Sequence, residues 1–149
     1  MASSNSTRNE LSGTAFPKAA DLLRVWLVDD HDGFRQPLAK LLNLEPGVEC
    51  ARHFSSAEAA LLALQEQSPD VILLDVEMPG MSGVEALQPI KRLAPSTSVL
   101  MLTALASKEV KERSLAAGAV DFVFKDFTPK EIVAAIRATR LPQDSGPRP

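Results

Sequence analysis

The stretch Val-Ile-Leu-Leu-Asp-Val-Glu-Met-Pro-Gly-Met-Ser-Gly at residues 71–83 constrains this chain more than any other. Its first four residues are apolar without alternation and two are β-branched, which suits a strand buried on both faces, as in a parallel sheet. Asp75 stands where that strand ends. Pro79 lacks an N–H and Gly80 admits backbone angles that other residues resist, so regular structure stops beyond it. The carboxylate of Asp75 is thereby delivered to the mouth of the sheet, where open α/β folds bind their ligands.

The rest of the chain repeats this pattern. Val25-Trp26-Leu27-Val28 is a buried strand that runs into Asp29-Asp30-His31-Asp32-Gly33. Phe34, Leu38, Leu41 and Leu42 recur at helical spacing and predict a helix over 34–44 with Asp32 as its N-cap. Pro37 places the start of that helix close by, because a proline deep inside costs about 3 kcal/mol. Residues 48–54 predict a second strand whose mixed polarity puts it nearer the sheet edge. Ser55-Ser56-Ala57-Glu58 reads as a capping box for a helix bearing Leu61, Leu62 and Leu64. Ser82-Gly83-Val84-Glu85 repeats that signature after Asp75, and Pro89 predicts a kink or an early end.

Residues 98–102 predict a fourth strand ending on Thr103, and a helix over 107–117 follows with Gly118 as C-cap. A fifth strand over 120–124 ends on Lys125. Thr128-Pro129-Lys130-Glu131 then opens a last helix carrying Ile132, Val133 and Ile136. Five strand–helix alternations predict an α/β fold, a parallel sheet with helices on both faces and right-handed crossovers. The polar, aperiodic residues 1–21 read as a disordered leader, or alternatively as a cover for a sheet edge through Leu11 and Phe16. Residues 141–149 read as a flexible tail or the start of a linker, which leaves 22–140 as one domain.

Every polar residue that stands out lies at the carboxyl end of a predicted strand: Asp29 and Asp30, Asp75, Thr103 and Lys125. Taken singly, each also fits a solvated strand terminus. Together they put two or three carboxylates, a hydroxyl and an ammonium on one rim. Oxygen-only ligands clustered without histidine or thiolate select a hard cation, and Mg²⁺ takes one or two carboxylates while keeping several waters. A carboxylate beside such a cation can attack a phosphoryl group and form an acyl phosphate. The cation and Lys125 would then share the charge on the equatorial oxygens, with Thr103 hydrogen-bonded to one more. His31 lacks the partner spacing of a metal ligand or general base and reads as a solvent-facing loop residue.

Composition narrows the partners. A net charge of −3 supplies no basic field to draw this chain by itself to nucleic acid or to an anionic membrane. No apolar run approaches the roughly 18 residues of a membrane span. The one cysteine, Cys50, sits in an apolar context and reads as a buried, inert thiol, which fits a reducing cytoplasm.

On these residues the chain resembles the receiver domain of two-component response regulators. The resemblance covers residues 24–140 and rests on Asp29-Asp30, on Asp75 within its Leu-Leu-Asp-Val-Glu-Met-Pro-Gly-Met-Ser-Gly context, on Thr103-Ala104 and on Lys125. It implies a flavodoxin-like sheet of order 2-1-3-4-5. It also implies Mg²⁺ held by Asp30, Asp75 and the backbone carbonyl of Glu77, with Asp29 acting largely through water. Asp75 would accept phosphate from the phosphohistidine of a sensor histidine kinase or phosphotransfer protein. Thr103 would then move towards the phosphate while an aromatic on the fifth strand, here Phe122, turns inward. A core aromatic with a single rotamer is the other reading of Phe122.

Lys125-Asp126 departs from the Lys-Pro of many receivers and, like Gly118-Ala119, resembles receivers joined to a LuxR-type DNA-binding domain. Either a single-domain regulator or a linker beginning near Leu141 fits. Glu77 and Leu105 are the variable rim positions, expected to set the phosphate lifetime. A population shift on the face of the fourth helix, fifth strand and fifth helix would carry the output, with a homodimer through that face as one form. Two other classes share part of this pattern. A phosphohydrolase of the haloacid dehalogenase type needs a second Asp two residues after the nucleophile, and here Glu77 stands there, with Pro79 two further on. A docking module that works unphosphorylated would not need the intact rim.

Overall fold

The computed structural model describes residues 22–140. The expected leader (1–21) and tail (141–149) lie outside the described residues. Five strands, β1 (Leu23–Val28), β2 (Val48–Phe54), β3 (Val71–Asp75), β4 (Ser98–Thr103) and β5 (Asp121–Phe124), alternate with five helices. These are α1 (Asp32–Leu42), α2 (Ala57–Leu64), α3 (Gly83–Leu93), α4 (Lys108–Ala116) and α5 (Pro129–Ala138). All pairings are parallel and the order is β2-β1-β3-β4-β5, the flavodoxin-like arrangement. β2 is an edge strand, as its mixed polarity predicts.

The unalternated strands bury both faces because successive side chains point to opposite sides. Trp26, Val28, Ile72, Leu74, Val99 and Met101 pack under α2 and α3 against Ala60, Leu64, Leu87 and Ile90. Val25, Leu27, Leu73, Leu100, Leu102 and Val123 pack under α1 and α5 against Leu38, Leu42, Ile132 and Ile136. α4 is the exception. Its buried residue is Ser114, a small polar side chain, so little apolar surface holds this helix down. Cys50 is buried as expected, and burial pushes its thiol up to about 11, which disfavours the reactive thiolate.

Local signals decide the helix ends. Ser82 and Glu85 form a reciprocal capping box on α3, and Thr128 and Glu131 form another on α5. Gly118 follows the C-cap Ala117 with φ of 116°, a conformation that favours glycine. Gly80 turns the β3–α3 loop at φ of 78°.

Five local expectations are corrected. α1 begins at Asp32 with His31 as N-cap, because the Asp32 carboxylate pairs with Arg35 one turn on rather than capping. Pro37 lies inside that helix; it and Gly33, whose carbonyl loses its donor, are both exposed to water. α3 likewise continues through Pro89 to Leu93. The cap of α2 is Ser56, which accepts from the Ala59 N–H, while Glu58 reaches across to accept from Met81 N at 3.1 Å. Glu58 thus tethers the loop that follows Asp75. Leu62, expected among the leucines of the packing side, is exposed.

Candidate functional site

The strand ends bring the carboxylates together. Asp75 closes β3 and is 4% exposed, and Asp29, directly after β1, is fully buried. Lys125 follows β5, and its Nζ lies 2.8 Å from Asp29 Oδ2 and 3.3 Å from Asp75 Oδ2. The Lys125 stem runs beside Phe34, whose ring centre is 5.0 Å from the ammonium. Asp29 Oδ1 accepts from the His31 N–H at 2.8 Å, and Asp75 Oδ1 accepts from the Glu77 N–H at 3.3 Å. The second oxygen of each carboxylate therefore faces Lys125.

Two acids and one ammonium make an unbalanced set. Burial raises the Asp75 carboxyl to about 6, the Asp29 charge adds to that rise, and Lys125 with the Glu77 N–H opposes it. Burial pulls the Lys125 ammonium down, but its contacts with Asp29 and Asp75 outweigh this and its pKa is raised. One further cation would relieve the carboxylates. Asp29, Asp30, His31 and Asp75 each offer a ligand atom, all within 4.8 Å of one another. Opposite ligands of an octahedral Mg²⁺ lie about 4.2 Å apart, so the spacing and the oxygen chemistry fit a small divalent ion. Asp30 Oδ1 is buried without a hydrogen-bond partner, which fits the same role.

The rim residues are less uniform. Thr103 ends β4 buried, but its hydroxyl donates to the Leu105 carbonyl at 2.8 Å and accepts from the Leu105 N–H at 3.2 Å. It is turned into its own loop. Phe122, half-buried on β5, packs against the α2–α3 side of the core. Asp75, Thr103, Lys125, His31, Glu77 and Leu105 all border a cleft of about 300 Å³, and the Leu105 side chain stands almost fully exposed there. His31 is exposed as expected yet not isolated, with Nδ1 3.3 Å from Asp29 Oδ1 and 3.4 Å from Asp30 Oδ1.

Two participants escape a reading of the sequence. Gly83, first residue of α3, sits so close that a Cβ there would lie 2.0 Å from the Asp75 carbonyl oxygen, and nothing local signals this. Arg35 is buried and donates to the Asp29 carbonyl at 2.7 Å. Its spacing with Leu38 and Leu42 on the inner face of α1 is a signal that could have found it.

The family model described as the response regulator receiver domain matches residues 25–137. The chain belongs to this family. The receiver domain is 33% identical over 118 residues to the uncharacterized transcriptional regulatory protein YxjL of Bacillus subtilis, covering 79% of this chain and 54% of that protein. It is 35% identical to the transcriptional regulatory protein LiaR of the same organism, over 78% of this chain and 56% of that one. The chain thus spans about half the length of these curated relatives. Among solved structures, the receiver domain of the putative response regulator NarL from Mycobacterium tuberculosis superposes with a TM-score of 0.74 at 33% identity. That match covers 80% of this receiver and 96% of its counterpart. A LuxR-family two-component response regulator from Aurantimonas sp. SI85-9A1 also gives 0.74, at 30% identity over 79% and 84% of the two chains. Among the described residues no helix of this receiver is long and apolar enough to cross a membrane.

Proposed function

We propose that this receiver domain accepts a phosphoryl group on Asp75 from the phosphohistidine of a sensor kinase or phosphotransfer protein. The observation that carries the reading is the convergence of two buried carboxylates on one ammonium, Lys125 Nζ, at 2.8 and 3.3 Å. A divalent cation held by Asp29, Asp30, Asp75 and the Glu77 carbonyl would neutralise phosphoryl charge. An Asp75 carboxylate oxygen forms the new P–O bond as the donor's P–N bond breaks, and the released imidazole takes up a proton. Lys125 loses part of its hold on Asp75 and turns to the phosphoryl oxygens. The Thr103 hydroxyl, now spent on Leu105, rotates to the same oxygens, and Phe122 moves into the space vacated. α4, with Ser114 as its buried residue, is the helix this change displaces most easily, which makes α4–β5–α5 the output face, with a homodimer as one form. Residues 22–140 act as the receiver unit between a leader (1–21) and a tail or linker (141–149). The output is a partner or a further domain, and the domain is a switch that turns over its own phosphate rather than an enzyme acting on others.

Acetyl phosphate with Mg²⁺ tests this directly. Intact mass should rise by one phosphoryl group in the wild type and not in Asp75→Asn, and excess chelator should suppress the rise. Equal modification of both proteins would remove Asp75 from the reaction.

The exposed Leu105 and the acidic Glu77 border the path of the water that would hydrolyse the Asp75 phosphate. A bulky apolar group and a negative charge both hinder that water. The Leu105→Ala, Glu77→Asn double variant is therefore expected to lose phosphate several-fold faster than wild type. Loss that is no slower in wild type would refute the assignment.

A further inference from the structure

We propose that Arg35 is a positioning residue for the acid pair, its buried guanidinium clamping the Asp29–Asp30 peptide so that the carboxylates face the cation; this rests on the cation reading above. Arg35 is 6% exposed on α1 and spends three donors on the loop after β1, on the first residue of its own helix and on β2. Nη1 donates to the Asp29 carbonyl at 2.7 Å, Nη2 pairs with Asp32 Oδ1 at 2.7 Å, and Nε donates to His53 Nδ1 on the edge strand at 3.0 Å. A buried charge persists where it is paired and hydrogen-bonded, and the planar fork sets the direction of each bond. A lysine ammonium cannot span these three acceptors.

The consequence for the site follows from peptide geometry. The Asp29 carbonyl and the Asp30 N–H belong to one plane, so a donor held on that carbonyl orients both residues at once. On the other side, the Asp29 N–H donates to the Phe54 carbonyl at 3.0 Å. Asp29 is therefore gripped at both its peptide groups, from α1 and from β2. With the Asp29–Asp30 peptide fixed, the Asp30 side chain leaves the backbone in a set direction, and its Oδ1 lies 3.4 Å from His31 Nδ1.

Charge and geometry predict opposite signs for removing Arg35, which makes the assignment testable. A guanidinium beside the pocket repels a divalent cation, so if its charge were the main effect, Arg35→Ala would bind Mg²⁺ more tightly. If the clamp dominates, binding weakens. Groups that orient metal ligands typically change affinity by about tenfold or more. Mg²⁺ affinity is to be measured calorimetrically, well below the unfolding temperature, in wild type, Arg35→Ala, Arg35→Lys, Asp30→Asn and Leu64→Ala.

Arg35→Ala is expected to bind about tenfold more weakly, and Arg35→Lys several-fold more weakly, because a lysine keeps one of the three hydrogen bonds and loses the fork. Leu64→Ala, which opens the core on the other side of the sheet, is expected to lose stability and keep its affinity. Wild-type or tighter binding by Arg35→Ala overturns the proposal. If that variant does not fold, wild-type affinity in Arg35→Lys overturns it. Wild-type protein that takes no Mg²⁺, or Asp30→Asn that binds as wild type does, brings down the cation reading and this inference with it.

Discussion

Gly83→Ala is expected to lower the unfolding free energy by at least about 3 kcal/mol, read from the urea midpoint at constant slope. The new methyl carbon would lie 2.0 Å from the carbonyl oxygen of Asp75 and 2.9 Å from its carbonyl carbon, with Met101 Cε at 3.2 Å. The methionine can move. The strand backbone cannot, because Asp75 is hydrogen-bonded within β3–β4 and the Gly83 N–H donates to the Val76 carbonyl at 2.9 Å. Helix propensity pulls the other way, since alanine is better than glycine by about 1 kcal/mol inside a helix. Forced separation of packed backbone costs more than that and wins. The glycine is therefore needed for space and not for an unusual turn. A variant as stable as wild type would mean that α3 does not start against β3 as described. Phosphorylation should fall as well, because the displaced atom belongs to Asp75, the proposed phosphoacceptor.

The second large effect has the opposite sign. Asp75→Asn should raise stability by roughly 2 kcal/mol at pH 7.5 in the presence of chelator, while abolishing phosphorylation. The Asp75 carboxyl is raised from 3.8 to about 6, first by burial and then by the Asp29 charge, with Lys125 compensating in part. A folded-state pKa above the unfolded one means that the folded protein binds the extra proton between about pH 4 and pH 6. Stability then increases as pH falls through 6 and levels off below the unfolded value. Asparagine is neutral throughout, so its advantage should be full above pH 7 and should shrink on acidification. An advantage that held constant from pH 7.5 to pH 4.5 would show that the carboxylate charge is not its source. A site that is destabilising when empty is one that gains from a cation or a phosphoryl group.

Most of the fold and of the site is legible in the residues themselves. Val71-Ile72-Leu73-Leu74 has no polar face to offer water, which suits a strand covered on both sides, and the acid after it emerges at the sheet's mouth. The same reasoning applies to Val25–Val28 before Asp29 and to Ser98–Leu102 before Thr103. The capping boxes at Ser82 and Thr128 are local hydrogen-bond patterns and need no tertiary information.

Where several partners compete for one side chain, local signals misled. Asp32 looks like an N-cap until Arg35 takes its carboxylate, and Glu58 looks like half of a capping box until the Met81 N–H takes its own. A short polar side chain near a helix start has several backbone donors within reach, and only the fold decides which is offered. Thr103 behaves likewise. Its position is set by the strand, but its hydroxyl bonds to Leu105 in this state.

The sequence by itself determined the α/β class, the five strand ends and the identity of the polar residues that sit on them. It did so because burial of unalternated apolar runs and hydrogen-bond capping act over a few residues and leave a periodic trace. Only the tertiary structure decided that Lys125 bridges Asp29 and Asp75, that Arg35 donates to the Asp29 carbonyl, and that residue 83 has room for a hydrogen and nothing more. Those contacts join residues up to ~100 positions apart, and their geometry depends on how helices settle on the sheet, which no local pattern encodes.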